Sequence, residues 1–160
     1  MEDLLAIAAA AMRGGLTQGR SSMPASSLPP TDSPGAGVRY IHATLREEIA
    51  KLTARHPAQR ISMTPESLSE DKKQTIRLTV GERWLQIELE WFDRGKFDPA
   101  MGGPPYRGIG TIATSGGQTW KVILWDSLKK VFQWGYYERT EVRPITADFL
   151  RALVAALAGP

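Results

Sequence analysis

Glu88 and Glu90 stand two residues apart in a stretch where apolar and polar side chains alternate, so a β-strand would project both carboxylates from one face. With Glu82 nearby, this is the arrangement closest to an acid/base or Mg²⁺ pair. The same alternation places Glu90 opposite Lys73 and sets Arg77 diagonal to Glu88 across a hairpin, and charge pairing on a solvated face then accounts for them. His42 and His56 are the only histidines. Fourteen residues of helix would bring them to the same side but about 21 Å apart along the axis, too far to share a metal or a proton. Both read as exposed helix histidines. With no Cys in the chain, thiolate zinc sites, disulfides and thiol catalysis are excluded. The expectation is a protein that is not an enzyme and holds neither metal nor cofactor.

The segment Gly102-Gly103-Pro104-Pro105-Tyr106-Arg107-Gly108-Ile109-Gly110 has the glycine content of a phosphate-binding loop but the wrong context. It leads into a strand rather than a helix, and no Lys-Ser or Lys-Thr follows. What remains is a loop over residues 92–108 that carries Phe97, Met101, Tyr106 and Arg107, side chains of the kind that anchor protein interfaces. Lys121, Lys129, Lys130, Tyr137, Arg139 and Arg143 form a second set, basic and aromatic, that would suit a single-stranded nucleic acid if the last strands put them on one surface. The net charge of +3 and its alternation in sign along the chain supply no domain-wide basic field.

The elements that must position these residues follow from periodicity. Only five of the Leu, Ile, Val and Phe residues, and none of the five Trp, fall within residues 1–37, so the core belongs to residues 38–160. Residues 4–12, Leu-Leu-Ala-Ile-Ala-Ala-Ala-Ala-Met, are good helix formers with apolar side chains all round, too short to stand alone. Leu4, Leu5, Ile7 and Met12 therefore need a surface to dock on. From Arg13 to Gly37 the Gly, Ser, Pro and Thr content reads as a linker.

Val38, Ile41, Leu45, Ile49 and Leu52 form one stripe of a helix ending before Pro57. Residues 59–63 suit a short strand, and Thr64-Pro65-Glu66 resembles a helix start with Pro in the first position. Gly81-Glu82 suits a two-residue turn that pairs Val80 with Arg83, Leu78 with Leu85 and Ile76 with Ile87. Ser115-Gly116-Gly117-Gln118 reads as another two-residue turn, and a five-residue loop follows from Asp126 to Lys130. Together they give the rows Ile109–Leu124–Phe132, Thr111–Val122–Trp134 and Ala113–Trp120–Tyr136 on one face. Phe149, Leu150, Leu153, Val154 and Leu157 make the apolar stripe of a closing helix, capped near Thr146, beneath which Phe132, Trp134 and Tyr136 should lie.

The predicted fold is α+β: an antiparallel meander of five or six strands, as an open sheet or a partly closed barrel. One long helix precedes it, an amphipathic C-terminal helix closes it, and a flexible N-terminal arm is attached. The function expected of it is non-catalytic protein binding or assembly through the arm and the 92–108 loop, with a protein partner or a second copy of the chain. Binding of single-stranded nucleic acid is the alternative. No run is long enough to span a membrane, and the acidic start Met1-Glu2-Asp3 lacks the basic region of a secretory signal, which favours the cytoplasm or an assembled particle over secretion.

Overall fold

The computed structural model describes residues 32–96, 106–126 and 132–159. Ser33 opens helix α1, Pro34–Arg55: its Oγ accepts from Ala36 N at 3.1 Å, and Pro34 occupies the first turn, where a missing N–H costs nothing. The helix starts four residues before the expected point, so Pro34-Gly35-Ala36-Gly37 belongs to it. All five residues of the stripe from Val38 to Leu52 are buried, and Pro57 follows the end. After α1 come β1 (Ile61–Thr64), β2 (Lys73–Val80), β3 (Arg83–Lys96), β4 (Tyr106–Thr114), β5 (Thr119–Asp126), β6 (Phe132–Glu138), β7 (Glu141–Pro144) and helix α2 (Ala147–Ala158). The strands form one open antiparallel sheet in sequence order, with β1 and β7 as its edges. Both helices lie over one face and pack on each other. The architecture is α+β, with one strand more than the upper expectation.

The β2–β3 hairpin has the expected register throughout, from Val80 opposite Arg83 to Lys73 opposite Glu90. Gly81 takes φ +63° while Glu82 keeps a negative φ, so the turn fixes the pairing at a position that suits glycine. Ile76, Leu78, Val80, Leu85, Ile87 and Leu89 all face the helices and are buried. The segment at Thr64-Pro65-Glu66 is not a helix start; it is an irregular connection, with a cis Thr64–Pro65 peptide. His42 holds it in place. This histidine is buried rather than exposed, and its Nε2 donates to Pro65 O at 2.8 Å, while Arg46 Nη1 donates to Glu66 O at 3.0 Å. His56, by contrast, is the exposed C-cap of α1.

The next hairpin departs from the expected register by one residue. Thr114 N donates to Gln118 O and Gly117 N to Thr114 O, both at 3.0 Å, and only Gly117 of the two turn glycines has a positive φ, +88°. That is a three-residue loop, a type I turn closed by a left-handed glycine, where a two-residue turn of either primed type would need positive φ at Gly116. The slip turns β4 over. Gly108, Gly110 and Ile112 pair with Leu124, Val122 and Trp120 on the buried face, in place of Ile109, Thr111 and Ala113. The β5–β6 pairing is shifted by two, setting Leu124 opposite Trp134 and Val122 opposite Tyr136, which keeps the expected face.

Packing explains why β4 turns over. A Cβ on Gly108 would lie 2.8 Å from Trp134 Cη2 and 3.0 Å from Leu124 Cβ, and one on Gly110 would lie 3.1 Å from Leu89 Cδ2. Small residues do lie beside large ones, but the small residues are glycines.

The aromatic rows are shared between the helices rather than placed beneath α2 alone. Trp134 sits against the start of α1, its Nε1 donating to Pro34 O at 3.1 Å. Tyr136 stacks on Phe149 of α2 with centroids 3.9 Å apart, and Trp120 meets Phe149 edge-on at 6.4 Å. Phe132, only half-buried, lies under the Arg107 guanidinium at 5.3 Å.

Tyr136 is fully buried, and its phenolic oxygen has no hydrogen-bond partner among the described residues. Burial, reinforced by Glu138 and opposed by Arg143, pushes its phenol from 10.0 up to about 12. An unfolded chain would ionise this phenol first, so the stability it contributes is complete below about pH 10 and lost as pH rises towards about 12. Tyr136→Phe should stay within about 1 kcal/mol of the parent at neutral pH and flatten the alkaline fall in the urea midpoint. Parallel alkaline slopes for the two proteins would show that Tyr136 is not the group responsible.

Candidate functional site: a hollow on the outer face of the sheet

The helices cover one face of the sheet, and the alternation of each strand sends every second side chain to the other. In register across that outer face, Lys73, Glu90, Ile109 and Ile123 form one row, and Thr75, Glu88, Thr111 and Lys121 the next. Between them lies a hollow of about 400 Å³, bounded also by Tyr137 of β6. Its floor is aliphatic. Ile109 is 45% exposed, the one large hydrophobic side chain left exposed among the described residues, whereas its neighbour Ile123 is buried. Two carboxylates and two ammonium groups surround this floor, a balanced set with no single sign of field.

Glu88 and Glu90 thus project from one face as the alternation requires, with Lys73 across from Glu90 as expected. Arg77 does not turn to Glu88. It donates to Gln86 Oε1 at 2.9 Å and lies over the Trp84 ring at 4.6 Å, while Gln86 Nε2 donates to Glu88 Oε1 at 3.2 Å. No group of three His, Asp or Glu able to hold a metal occurs among the described residues. Burial raises the phenol of Tyr137, which also lines the hollow, above its ordinary value.

The basic-aromatic set is divided by the fold. Lys121 and Tyr137 share the hollow. Arg139 stands exposed at φ +60° in the turn between β6 and β7, and Arg143 is engaged by Glu141 at 2.9 Å and Glu138 at 3.6 Å. Lys129 and Lys130 lie outside the described residues, as do Leu4, Leu5, Ile7, Met12, Phe97 and Met101.

The 92–108 segment is shorter as a loop than expected, because β3 runs on to Lys96 and β4 begins at Tyr106, with Lys96 opposite Tyr106 beyond a bulge. Tyr106 and Arg107 are accordingly strand residues. Tyr106 packs edge-on against Phe92 at 6.4 Å, and Arg107 Nε donates to Phe92 O at 2.8 Å. Ile109 and Thr111 are the hollow residues that the expected rows placed on the buried face. The signal that could have found them was the pair Gly108 and Gly110, whose missing side chains mark the crowded face of β4.

Compared with protein-family models, with curated proteins and with solved structures, the chain matches none. No helix among the described residues is long and apolar enough to cross a membrane.

Proposed function

We propose that this chain is a non-catalytic protein-binding module whose contact surface is the outer face of its sheet, centred on the hollow around Ile109. The observation that carries the reading is the exposure of Ile109 at the centre of a charged rim. An apolar centre with a polar border is the anatomy of a protein interface, and charges of both signs fix the orientation of a partner. Residues 4–12 and the connection over residues 97–105, with Phe97 and Met101, are additional contact elements in this proposal. The partner is another protein or a second copy of the chain.

Single-stranded nucleic acid is the second reading, favoured by Lys121 and Tyr137 standing together. Glu88 and Glu90 share that surface and would repel phosphates, and Arg143 already has two carboxylates. The chain is expected to show no retention on single-stranded DNA or RNA at low salt; salt-sensitive binding lost on Lys121→Glu would reverse the order of the two readings.

Affinity capture by the full chain, compared with Ile109→Asp, tests the first reading. Ile109 is partly exposed, but Asp there would stand directly opposite Glu90 on a central strand, so the variant should fold with a cost of roughly 1–2 kcal/mol. Retention of a specific protein should nonetheless fall at least tenfold, about 1.4 kcal/mol. Equal retention by both proteins would exclude the hollow as the contact surface.

A further inference from the structure

β4 is the middle strand of the seven, and Ile109, the exposed hydrophobic side chain of the outer face, stands on it. Glu88 of β3 and Lys121 of β5 are both in register with Thr111 of β4, so an acid and a base flank the middle strand in one row, about 10 Å from each other. Both are exposed. In the adjacent row Glu90 has Lys73 directly across from it on β2, which offsets its charge within the chain. Glu88 instead accepts from Gln86, a neutral group that leaves its charge in place. The outer face therefore carries one negative and one positive site, placed symmetrically about its central strand.

Such a row is complementary to itself. When a second copy lies face to face with the first about a two-fold axis along β4, midway between the sheets, β4 faces β4 and β3 of each copy faces β5 of the other. Glu88 then meets Lys121 of the second copy, and Lys121 meets its Glu88, across a gap of about 10 Å that these two long side chains span together. Ile109 closes on Ile109. An axis running across the strands would instead set Glu88 on Glu88 and Lys121 on Lys121. Because β4 is the middle strand, the axis along it also overlaps the sheets fully, β2 over β6 and β1 over β7. The strands of one sheet, about 4.8 Å apart and about 25 Å long in the middle of the sheet, offer a face of about 700 Å². A stable interface takes about 800 Å² from each partner, and the corrugation of side chains supplies the difference.

We propose that the partner of the outer face is a second copy of this chain, the two sheets packing face to face about a two-fold axis along β4, with Ile109 at the centre and a Glu88–Lys121 pair on either side. The inference rests on the outer face being a contact surface and commits that surface to a homodimer.

Sedimentation of the full chain over a range of micromolar concentrations should show a monomer–dimer equilibrium, and Ile109→Asp should weaken it at least tenfold, because two carboxylates would meet at the axis. Glu88→Lys and Lys121→Glu should each weaken it by a similar factor, since either change sets like charges against each other twice. Combining them in one chain should restore the parent affinity. An equimolar mixture of the two single variants should associate at least tenfold more tightly than either alone, because one copy then offers only ammonium groups in the row and the other only carboxylates. A misfolded variant could not be rescued in this way. Glu47→Lys, exposed on α1, is the control and should leave the dimer unchanged. A parent chain that stays monomeric at tens of micromolar would overturn the proposal, as would a dimer indifferent to Ile109, or charge reversals that neither the mixture nor the double variant restores. A monomer whose capture of a different protein is lost on Ile109→Asp would remove the second copy but keep the proposed function. A monomer with no such capture would remove both.

Discussion

Gly110→Val is expected to abolish cooperative folding or to cost roughly 4 kcal/mol or more, the largest effect of any single change considered for this protein. A Cβ at residue 110 would lie 2.1 Å from the Glu88 carbonyl oxygen and 3.1 Å from Leu89 Cδ2. Neither can yield locally. Glu88 O belongs to the backbone of β3, the central partner of β4, and Leu89 is buried at 1% exposure among residues from both helices. Accommodating the branched side chain would therefore mean parting β3 from β4, with loss of the ladder hydrogen bonds around the residue. Thr111→Val, one position along on the exposed face, is the control and should stay within about 0.5 kcal/mol. Urea denaturation of both variants, read by tryptophan fluorescence and by far-ultraviolet circular dichroism, decides the matter. A cost for Gly110→Val no greater than that of Thr111→Val would mean that β4 does not present its glycines to the core.

Trp134→Ala should cost about 3–5 kcal/mol, through the cavity left by a buried indole. Trp134 is 3% exposed and fits where two glycines make room for it: a Cβ on Gly37 would come within 2.5 Å of its Cδ1, and one on Gly108 within 2.8 Å of its Cη2. Its Nε1 also binds the Pro34 carbonyl, so the truncation removes the contact that ties the first turn of α1 to β6. Trp134→Phe retains part of the volume but loses the hydrogen bond and the rest of the indole, and about 1–2 kcal/mol is expected. The local consequence is as diagnostic as the global one. Amide exchange at Val38 and Arg39, next to the anchored turn, should rise more in the alanine variant than exchange near Leu52 at the far end of the helix. A loss below about 1 kcal/mol, or uniform exchange along α1, would show that the indole does not anchor the helix.

Features specified by neighbours in sequence were legible from the sequence alone. The stripe from Val38 to Leu52 repeats with the period of a helix and needs no partner to be recognised. The β2–β3 register follows from one glycine at φ +63° and an uninterrupted alternation on either side of it. The closing helix declares itself through Thr146, whose Oγ1 accepts from Phe149 N at 3.2 Å, and through five apolar positions on one stripe. By contrast β7 was missed, since Glu141-Val142-Arg143-Pro144 is short and charged and the chain reverses before it at Arg139, a residue that signals no turn.

Which face of β4 is buried could not be read locally. Ile109, Thr111 and Ala113 alternate as plausibly as Gly108, Gly110 and Ile112, and a glycine counts as neither apolar nor polar when periodicity is scored. The choice is made by volume brought from distant strands. Trp134 from β6 and Leu89 from β3 leave no space for a side chain at residues 108 and 110, so the strand turns its glycines inward. The candidate site follows from the same choice. The register that buries the glycines puts Ile109 in solvent between Glu90 and Ile123, and the sheet acquires an apolar hollow that the opposite register would have filled with core.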